Sequence, residues 1–425
     1  MGYHKKLVLG IFGFGVVGEG LYKVLNQTPS LNATIKKVCI KNSSKKRNAP
    51  SELFTDDKNT LLNDPEINII VELIDDAEAA FDIVSTAFKN GKHVVSANKK
   101  MIADNLEELL YLQEKTGLSF LYEAACCASI PVIRNLEEYY DNDLLHSISA
   151  IVNGSTNFIL TKMFEDKLSF KDALLLAQQL GFAESNPVLD VEGFDGLNKW
   201  TFLLTHAYGI ISKKDELVFS GIQHINSEDA VMADKKDCVI KLSAYAKKLK
   251  NGKVAAYILP QFVKKEALLA FVKNEYNGVV IESSFADKQF FYGKGAGSFP
   301  TASAVISDIS ALRYEYKYEY KKLYHHTPNE LTNDFYLKVY VGFTDWEDVR
   351  KDDFESIEEW HSNDQINYLI GVIHFDKLAK SDWWKTNEVS LVLTDDPIIE
   401  SLDVIKLKKR SLALAGFNGG NGKPE

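Results

Sequence analysis

A glycine-rich turn near the N-terminus constrains the fold of this chain more than any other segment. It follows Leu7–Phe12, an apolar run with the length of a buried strand, and leads into a helical pattern over residues 19–26. A G-x-G-x-x-G pattern between a strand and a helix lets a dinucleotide diphosphate approach the helix N-terminus. The alternative is an incidental glycine-rich turn. We therefore predict dinucleotide binding by the residues of this turn, which are Gly13, Phe14, Gly15, Val16, Val17 and Gly18.

Strand and helix patterns alternate after this turn through the first 130 residues. Apolar runs of strand length are followed by amphipathic segments of helical length, as in βαβ units. This alternation predicts a Rossmann-like α/β domain with a doubly wound parallel sheet over residues 1–130, completed by a return segment near residues 296–325. The predicted strands are 34–40, 68–74, 93–96 and 120–122, and the predicted helices are 79–89 and 106–115.

The segment after the second predicted strand bears on the choice of cofactor. A site that prefers NAD usually has an acid there for the ribose hydroxyl, whereas this chain has the basic run Lys41–Arg47. Cations suit the 2′-phosphate of NADP, so Lys41 is a candidate ligand and NADP is favoured, with NAD left open. The alternative is a solvated basic loop. Asp75 and Asp76, after the third strand, argue the other way because carboxylates disfavour an added phosphate.

Two further segments carry side chains that suit catalysis. Ser96 ends a predicted strand and Lys99 comes three residues later, and ligands bind at the carboxyl ends of parallel strands, so we predict cofactor contacts there. The stretch Gly181–Trp200 places Asp195 four residues before Lys199, on one face of a helix. An acid and a lysine at this spacing suit proton transfer beside a small polar substrate. The alternative is an exposed ion pair on a solvated helix face.

Residues 131–295 have a mixed pattern that predicts an α+β domain for substrate binding and dimerisation. A helix over residues 170–180 is expected to end at Gly181 as its C-cap. Another helix is expected over 236–250, and a glycine-rich loop at 293–297 leads into a helix. The predicted strands of this domain are 148–152, 268–272, 278–282 and 289–292.

Short motifs along residues 6–312 resemble those of the homoserine dehydrogenase family. Their order and joint presence make the resemblance specific. It implies interconversion of L-homoserine and L-aspartate 4-semialdehyde, a step of threonine and methionine biosynthesis, by a homodimer that binds these small molecules. The matching segments are GFGVVG at 13–18, VELI at 71–74, SANK at 96–99, YEA at 122–124, IPVIRNLE at 130–137, VNGSTNFILTKM at 152–163, GFAE at 181–184, DVEGFDGLNK at 190–199 and GKGAGSFPTASAV at 293–305.

The same resemblance assigns roles to individual positions. Phe14 to Val17 would contact the cofactor diphosphate, and Lys99 and Lys199 would be catalytic, with Lys199 as the proton donor. The other implied ligands are Gly181 and Gly295 for the cofactor, Glu184, Asp190 and Asp195 for the substrate, and Glu123, Cys126, Ala128 and Ile130 for a monovalent cation such as Na+.

Three features depart from the family pattern. Asp75 and Asp76 replace paired glycines, and the sequence ACCAS follows Glu123 where glycines and valine are usual. Residues 326–415 have the strand-like runs of a small α+β region that resembles a reduced, ferredoxin-like ACT domain. They lack the acidic-glycine turn with which such a domain binds an amino acid, so loss of the effector site is expected. Residues 416–425 are predicted to be a flexible tail.

Composition limits the remaining function classes. The chain has 49 basic and 59 acidic residues, a net charge of −10, which argues against a nucleic-acid partner. No run is long enough to span a membrane, and four cysteines without a C-x-x-C pattern fit the reducing cytoplasm. Two alternatives stay open: a catalytically silent dinucleotide-binding regulator, and an oxidoreductase of another small amino-acid semialdehyde.

Overall fold

The fold is described from a computed structural model, which covers residues 6–141, 144–363 and 366–402. Contacts divide the chain into two compact units. The first comprises Met1–Asp143, Asn198–Lys214 and Phe291–Pro328, and the second comprises Leu144–Leu197, Asp215–Phe290 and Asn329–Glu425. The central and C-terminal segments therefore belong to one unit, and the predicted three-domain division remains a proposal about independently folding parts.

The described secondary structure contains strands and helices throughout both units. The strands are β1 (Leu7–Phe12), β2 (Ala33–Cys39), β3 (Phe54–Thr55), β4 (Ile69–Glu72), β5 (His93–Ser96), β6 (Phe120–Leu121), β7 (Leu145–Ile151), β8 (Val218–Phe219), β9 (Cys238–Lys248), β10 (Val254–Lys264), β11 (Tyr276–Ser283), β12 (Asp287–Lys294), β13 (Tyr336–Phe343), β14 (Phe354–Ser362), β15 (Asn367–His374) and β16 (Val389–Ile399). The helices are α1 (Val16–Gln27), α2 (Asn59–Leu62), α3 (Ala77–Lys89), α4 (Lys99–Thr116), α5 (Val132–Arg134), α6 (Gly154–Glu165), α7 (Phe170–Gln179), α8 (Val188–Val191), α9 (Phe194–Tyr208), α10 (Ser227–Lys235), α11 (Ser298–Leu312) and α12 (Phe375–Ala379).

The first unit is built on a parallel sheet with the strand order β3-β2-β1-β4-β5-β6. This 3-2-1-4-5-6 order is that of a doubly wound dinucleotide-binding fold, so the predicted fold class is confirmed. Strands β1 and β4 are almost continuously buried, as expected where helices cover both faces of a parallel sheet. Helix α11 lies against α1 at Gly20, where a Cβ would be 2.5 Å from Ser298 Oγ.

The second sheet is mixed and has the order β12-β11-β7-β9-β10-β16-β13-β15-β14. The helix predicted over residues 236–250 is wrong, because Cys238–Lys248 forms β9 and pairs with β10 along its whole length. This strand is buried on both faces over most of its length, so its apolar residues do not alternate and periodicity could not separate strand from helix. The strand predicted over 268–272 is also wrong, because Leu268–Phe271 is a 3₁₀ turn.

The C-terminal strands form an antiparallel group in the order β16-β13-β15-β14. In their own chain order this is 4-1-3-2, the order of a ferredoxin-like sheet. The first helix of such a domain is replaced by 3₁₀ turns at Trp346–Asp348 and Lys351–Asp353, and the second is reduced to the five residues of α12. The end of the predicted ACT-like region and the tail at 416–425 lie outside the described residues.

Asp229 joins α10 to the C-terminal strands inside the second unit. Its buried carboxylate accepts hydrogen bonds from Asn226 N at 3.0 Å and from Ser390 Oγ at 2.7 Å. Burial raises the pKa of Asp229 from 3.8 to about 6. The unfolded chain therefore releases this proton at a lower pH than the folded chain, and the protonated form favours folding.

We expect the free energy of unfolding to lose roughly 3 kcal/mol from this group as the pH rises from about 4 to about 6. Asp229→Asn should remove this contribution to the pH dependence of the unfolding free energy, which urea unfolding at several pH values across that range measures. Asp234→Asn changes an exposed acid on the same helix and should leave the pH dependence between about 4 and about 6 unchanged. An unchanged pH dependence in Asp229→Asn would contradict the assignment.

Candidate active site

The three glycines of the N-terminal turn differ in what surrounds them. Gly13 has a φ of 95°, and a Cβ there would lie 2.7 Å from Leu73 O. A Cβ on Gly18 would lie 2.4 Å from Gly13 O, so this glycine allows α1 to pack closely on the turn. Around Gly15 a Cβ would meet no described heavy atom within 4 Å. Gly13 thus permits the turn, and Gly18 permits the close packing of α1. The open side at Gly15 leaves space for a diphosphate.

A basic cavity of about 450 Å³ lies at the carboxyl ends of β2 and β3. Arg47 places its guanidinium 5.4 Å from the ring centre of Phe54, and Phe54 packs edge-on against Phe14 at 5.0 Å. This contact connects the cavity to the glycine-rich turn. Lys41 is exposed at the start of the loop. The lining residues are Ile40, Ser43, Ser44, Lys45, Lys46, Arg47, Ala49, Ser51, Phe54, Thr55 and Asp56.

A closed ring of hydrogen bonds joins the carboxyl ends of β4 and β5. Glu72 accepts from Ile74 N at 2.7 Å and from Ser96 Oγ at 2.6 Å. The Ser96 hydroxyl accepts from Asn98 N at 3.1 Å, and Asn98 Nδ2 donates to Ile74 O at 2.9 Å. Asn98 also caps α4, whose first residue is Lys99. The ring therefore fixes the position of Lys99, the first residue of α4.

The ionisable groups at this edge have distinct structural roles. Glu72 is fully buried, and burial raises its pKa to about 7 despite the hydrogen bonds it accepts. The ring uses the hydroxyl hydrogen of Ser96 and one of its lone pairs, so in the predicted contact with a cofactor this oxygen would accept a hydrogen bond. Asp76 accepts from Ala79 N at 3.1 Å and caps α3. Asp75 is exposed beside it.

In the second unit, one asparagine holds two of the predicted substrate acids. Asn153 Nδ2 donates to Asp190 Oδ1 at 2.7 Å and to Asp195 Oδ2 at 2.8 Å. Its Oδ1 accepts from Thr156 N and caps α6. Sequence reasoning missed Asn153, although an asparagine just before a helix is a recognisable N-cap signal. Glu184 is exposed on the segment between α7 and α8.

Helix α9 carries the predicted catalytic pair. Asp195 lies in its first turn, and the relative exposures of Asp195 and Lys199 are 5% and 6%. An ion pair on a solvated helix face would be far more exposed, so that alternative does not hold. Charged side chains are almost never this buried without a specific partner or a functional reason.

The two glycines predicted to approach the cofactor lie at element boundaries. Gly181 follows α7 with a φ of 77°, and its N–H donates to Gln178 O at 3.1 Å, as expected for a helix C-terminus. Gly295 lies between β12 and α11. Neither position is tested against a bound cofactor, and both stay predictions.

The loop predicted to bind a monovalent cation is buried. Glu123 accepts from Ile133 N at 2.8 Å and Arg134 N at 3.0 Å, while its own N–H donates to Asp308 Oδ2 at 2.9 Å. Burial and then the Asp308 charge raise the pKa of Glu123 to about 8. Cys127 has a φ of 52°, in the region that glycine favours. Among residues 6–141, 144–363 and 366–402, no cluster of three or more His, Cys, Asp and Glu could hold a metal ion.

Family models and a curated relative match this chain. A model described as homoserine dehydrogenase matches residues 131–310, and one described as homoserine dehydrogenase, NAD binding domain, matches residues 13–123. The homoserine dehydrogenase of Bacillus subtilis is 34% identical over 317 residues, which are 72% of this chain and 73% of that protein.

Solved structures of similar fold extend the comparison. A homoserine dehydrogenase from Thiobacillus denitrificans superposes with a TM-score of 0.81 at 27% identity, covering 92% of this chain and 98% of that one. A hyperthermophilic archaeal homoserine dehydrogenase in complex with NADPH superposes with a TM-score of 0.63 at 26% identity, covering 74% and 99%. In the described part of this chain, no helix has the length and apolar character needed to cross a membrane.

Proposed function

The chain belongs to the homoserine dehydrogenase family of NAD(P)-dependent oxidoreductases, and we propose from this premise how its residues interconvert L-homoserine and L-aspartate 4-semialdehyde. The observation that carries the proposal is the buried pair Asp195 and Lys199 on α9, with Asn153 holding Asp195 and Asp190. Buried ionisable side chains held by specific partners are typical of active sites.

In this proposal Lys199 acts as the general acid. In the reducing direction the aldehyde oxygen gains negative charge, and the Lys199 ammonium offsets that charge and donates the proton. Lys99, which the ring at Glu72 places at the start of α4, assists at the reacting oxygen. The bound nicotinamide supplies or accepts the hydride at C4 of the substrate.

The acids bind and orient the amino acid in this proposal. Asp195 and Glu184 bind the substrate ammonium, and Asp190 lies near it. Asn153 donates to both Asp190 and Asp195, which fixes the carboxylate of Asp195 in one orientation. Both amide hydrogens of Asn153 are donated to these two acids. In this proposal Asn153 therefore positions the acids, and the acids bind the substrate.

Oxidation of NADPH and NADH with aspartate semialdehyde tests the proposed function. Turnover with this substrate and much slower turnover with other small amino-acid semialdehydes is the expected result. Faster turnover of another semialdehyde would favour the alternative oxidoreductase. Cofactor binding without turnover of either would favour a silent dinucleotide-binding regulator.

We expect NADPH to bind more tightly than NADH. The support is the basic loop from Lys41 to Arg47, because cations suit the 2′-phosphate. Arg47→Asp or Lys41→Asp should lower the ratio of the two affinities by at least roughly tenfold, the scale of one charge-assisted hydrogen bond. Titration of both cofactors, followed by nicotinamide fluorescence, measures the ratio.

Lys250→Asp, in the turn between β9 and β10, makes the same charge change outside the dinucleotide-binding unit and serves as the control. Equal affinity of the unmodified protein for NADPH and NADH would overturn the preference. If only Arg47→Asp lowers the ratio, the 2′-phosphate is bound by the basic cavity that Arg47 lines and not by Lys41.

We expect threonine to have no effect through the C-terminal strands. The first helix of the ferredoxin-like pattern is absent from residues 344–353, where two 3₁₀ turns connect β13 to β14. A carboxylate therefore lacks the helix N-terminus that such a domain offers. Millimolar threonine should change neither the turnover nor the melting temperature. A threonine-dependent rise in melting temperature, lost on deleting residues 326–425 from a core that still folds, would contradict this.

Three finer features complete the proposal. The loop at Glu123 would bind a monovalent cation, because Glu123 and Asp308 are neighbouring buried acids, and the guanidinium of Arg134 pairs with Asp308 while Glu123 accepts from backbone N–H groups. Its ligands would be Glu123 and the backbone oxygens of Cys126, Ala128 and Ile130. The protein would be a homodimer, since β12 is an edge strand that carries the exposed Tyr292, and Phe285 is exposed in the turn before it. The cytoplasm is the proposed compartment.

A further inference from the structure

A chain of buried polar side chains runs through the first unit outside the site described above. His206 Nδ1 lies 2.6 Å from Glu137 Oε1, and His206 Nε2 lies 2.7 Å from Tyr122 Oη. Tyr122 Oη is 2.9 Å from Tyr320 Oη. All four side chains are buried, and the imidazole of His206 is completely inaccessible. We call this group the His206 cluster.

The contacts of Glu137 fix one proton of the His206 cluster. Glu137 also accepts from Tyr320 N at 3.1 Å. Burial raises the pKa of Glu137, but the contacts with His206 and the Tyr320 N–H lower it by more, so the carboxylate is charged. His206 Nδ1 must then carry the proton that it donates to Glu137. His206 Nε2, the Tyr122 hydroxyl and the Tyr320 hydroxyl continue this chain of hydrogen bonds, whose direction is set by whether Nε2 also carries a proton.

The cluster accounts for the alternating burial of residues 318–322. Tyr318 and Tyr320 place their rings 5.0 Å and 5.1 Å from the imidazole of His206, the latter stacked on it. Lys322 Nζ donates to His206 O at 2.7 Å, and Gln113 Nε2 donates to Tyr318 O at 2.8 Å. Tyr318, Tyr320 and Lys322 therefore face inward, between the exposed Glu319 and Lys321, and fasten this part of the segment around the end of α9.

The cluster also fixes the helix that carries Lys199. His206 follows Lys199 by seven residues, which is about two helical turns and the same face. Phe202, one turn before His206, packs edge-on against Tyr122 at 5.6 Å. Two side chains of α9 are therefore held by Tyr122, the residue directly before Glu123. Rotation or sliding of α9 would break the contacts of both.

We infer that His206 is a positioning residue of the reaction, which fixes α9 through Glu137, Tyr122 and Tyr320 and so sets where Lys199 presents its ammonium. This inference rests on the proposed role of Lys199. Displacement of a catalytic group by about 1 Å can cost up to about 100-fold in rate. The site residues themselves stay unchanged in this argument, so substrate affinity is the quantity that should change least.

Three variants test the inference in the full-length protein. His206→Asn keeps a donor near the Nδ1 position for Glu137 and loses the contact with Tyr122, whereas Tyr122→Phe and Tyr320→Phe each remove one hydroxyl. Tyr324→Phe removes a hydroxyl that is on the same segment and 71% exposed, and is the matched control. We expect kcat to fall between about tenfold and about 100-fold in His206→Asn and Tyr122→Phe, with KM for the substrate changed less than about threefold.

Two measurements separate positioning from general loss of stability. A misplaced Lys199 slows the chemical step, so the primary isotope effect with cofactor deuterated at C4 should rise towards its full value in His206→Asn and Tyr122→Phe. Hydrogen exchange of residues 198–208 should become faster in these variants, while Tyr324→Phe behaves as the unmodified protein in both.

Specific outcomes would overturn the inference. Folded His206→Asn and Tyr122→Phe with unchanged kcat and unchanged exchange of α9 would do so, as would equal losses in Tyr324→Phe. A fall in kcat with an unchanged isotope effect would also assign the cluster to stability alone. Failure of the proposed role of Lys199 is distinguishable, because it would appear as near-normal turnover in Lys199→Ala with unchanged protection of α9.

Discussion

Replacing Lys199 by alanine is expected to lower kcat for reduction of aspartate semialdehyde by at least about 100-fold, the scale of a lost general acid. The aldehyde oxygen would then gain charge without an ammonium to offset it or donate the proton. Because Lys199 is buried, water is poorly placed to replace the lost donor. The measurement is steady-state turnover at saturating cofactor and substrate.

Two matched variants separate chemistry from packing. Lys199→Met keeps most of the buried side-chain volume and removes only the ammonium, so it should be as inactive as Lys199→Ala but more stable. Lys100→Ala removes an exposed ammonium next to Lys99 and should retain nearly full turnover. Near-normal turnover in Lys199→Met would remove Lys199 from the mechanism and leave Lys99 as the candidate acid.

The dinucleotide-binding unit was predictable because its signals are local. Leu7–Phe12, the turn at Gly13 to Gly18 and the helix after it are contiguous, and each has a pattern that is typical of one structure. The sheet order then follows from the handedness and connection rules of βαβ units. In contrast, β9 was mistaken for a helix, because a strand buried on both faces loses the alternation that identifies strands.

The polar networks were not predictable because their members are distant in sequence. Tyr122 and His206 are 84 residues apart, and Tyr122 and Tyr320 are 198 apart. A single sequence does not show which buried polar groups pair once the chain has folded. The same limit applies to Asn153, which was visible as a helix cap, whereas its bonds to Asp190 and Asp195 were not.

Ser96 and Asp76 are polar residues whose positions suggest a cofactor contact but whose side chains have structural roles. Ser96 ends β5 and Asp76 lies beyond the end of β4, at the sheet edge where a cofactor is expected, so both positions led to predictions about the cofactor. In the structure Ser96 donates to Glu72, and Asp76 caps α3. An acid after β4 is therefore explained by a helix cap, and it need not act on the cofactor.

Gly15→Ala is expected to weaken cofactor binding strongly while leaving the fold intact. The backbone of Gly15 has a φ of −85°, which alanine adopts without strain, and a Cβ there would have no described heavy atom within 4 Å. The added methyl group would instead occupy the space through which a diphosphate reaches the helix N-terminus. Overpacking of this kind costs about 1–3 kcal/mol, so Kd for NADPH should rise between about 5-fold and about 150-fold.

The neighbouring glycines provide the decisive contrast for Gly15→Ala. In Gly18→Ala the methyl group would lie 2.4 Å from Gly13 O, so the turn itself must move and the protein should lose stability even without cofactor. Tm without cofactor should therefore change by less than about 2 °C in Gly15→Ala and fall clearly in Gly18→Ala. Wild-type affinity for NADPH in Gly15→Ala would mean that the diphosphate does not pass over this glycine. A large fall in Tm in the same variant would contradict the open surroundings of Gly15, because a methyl group that meets no other atom should not destabilise the fold.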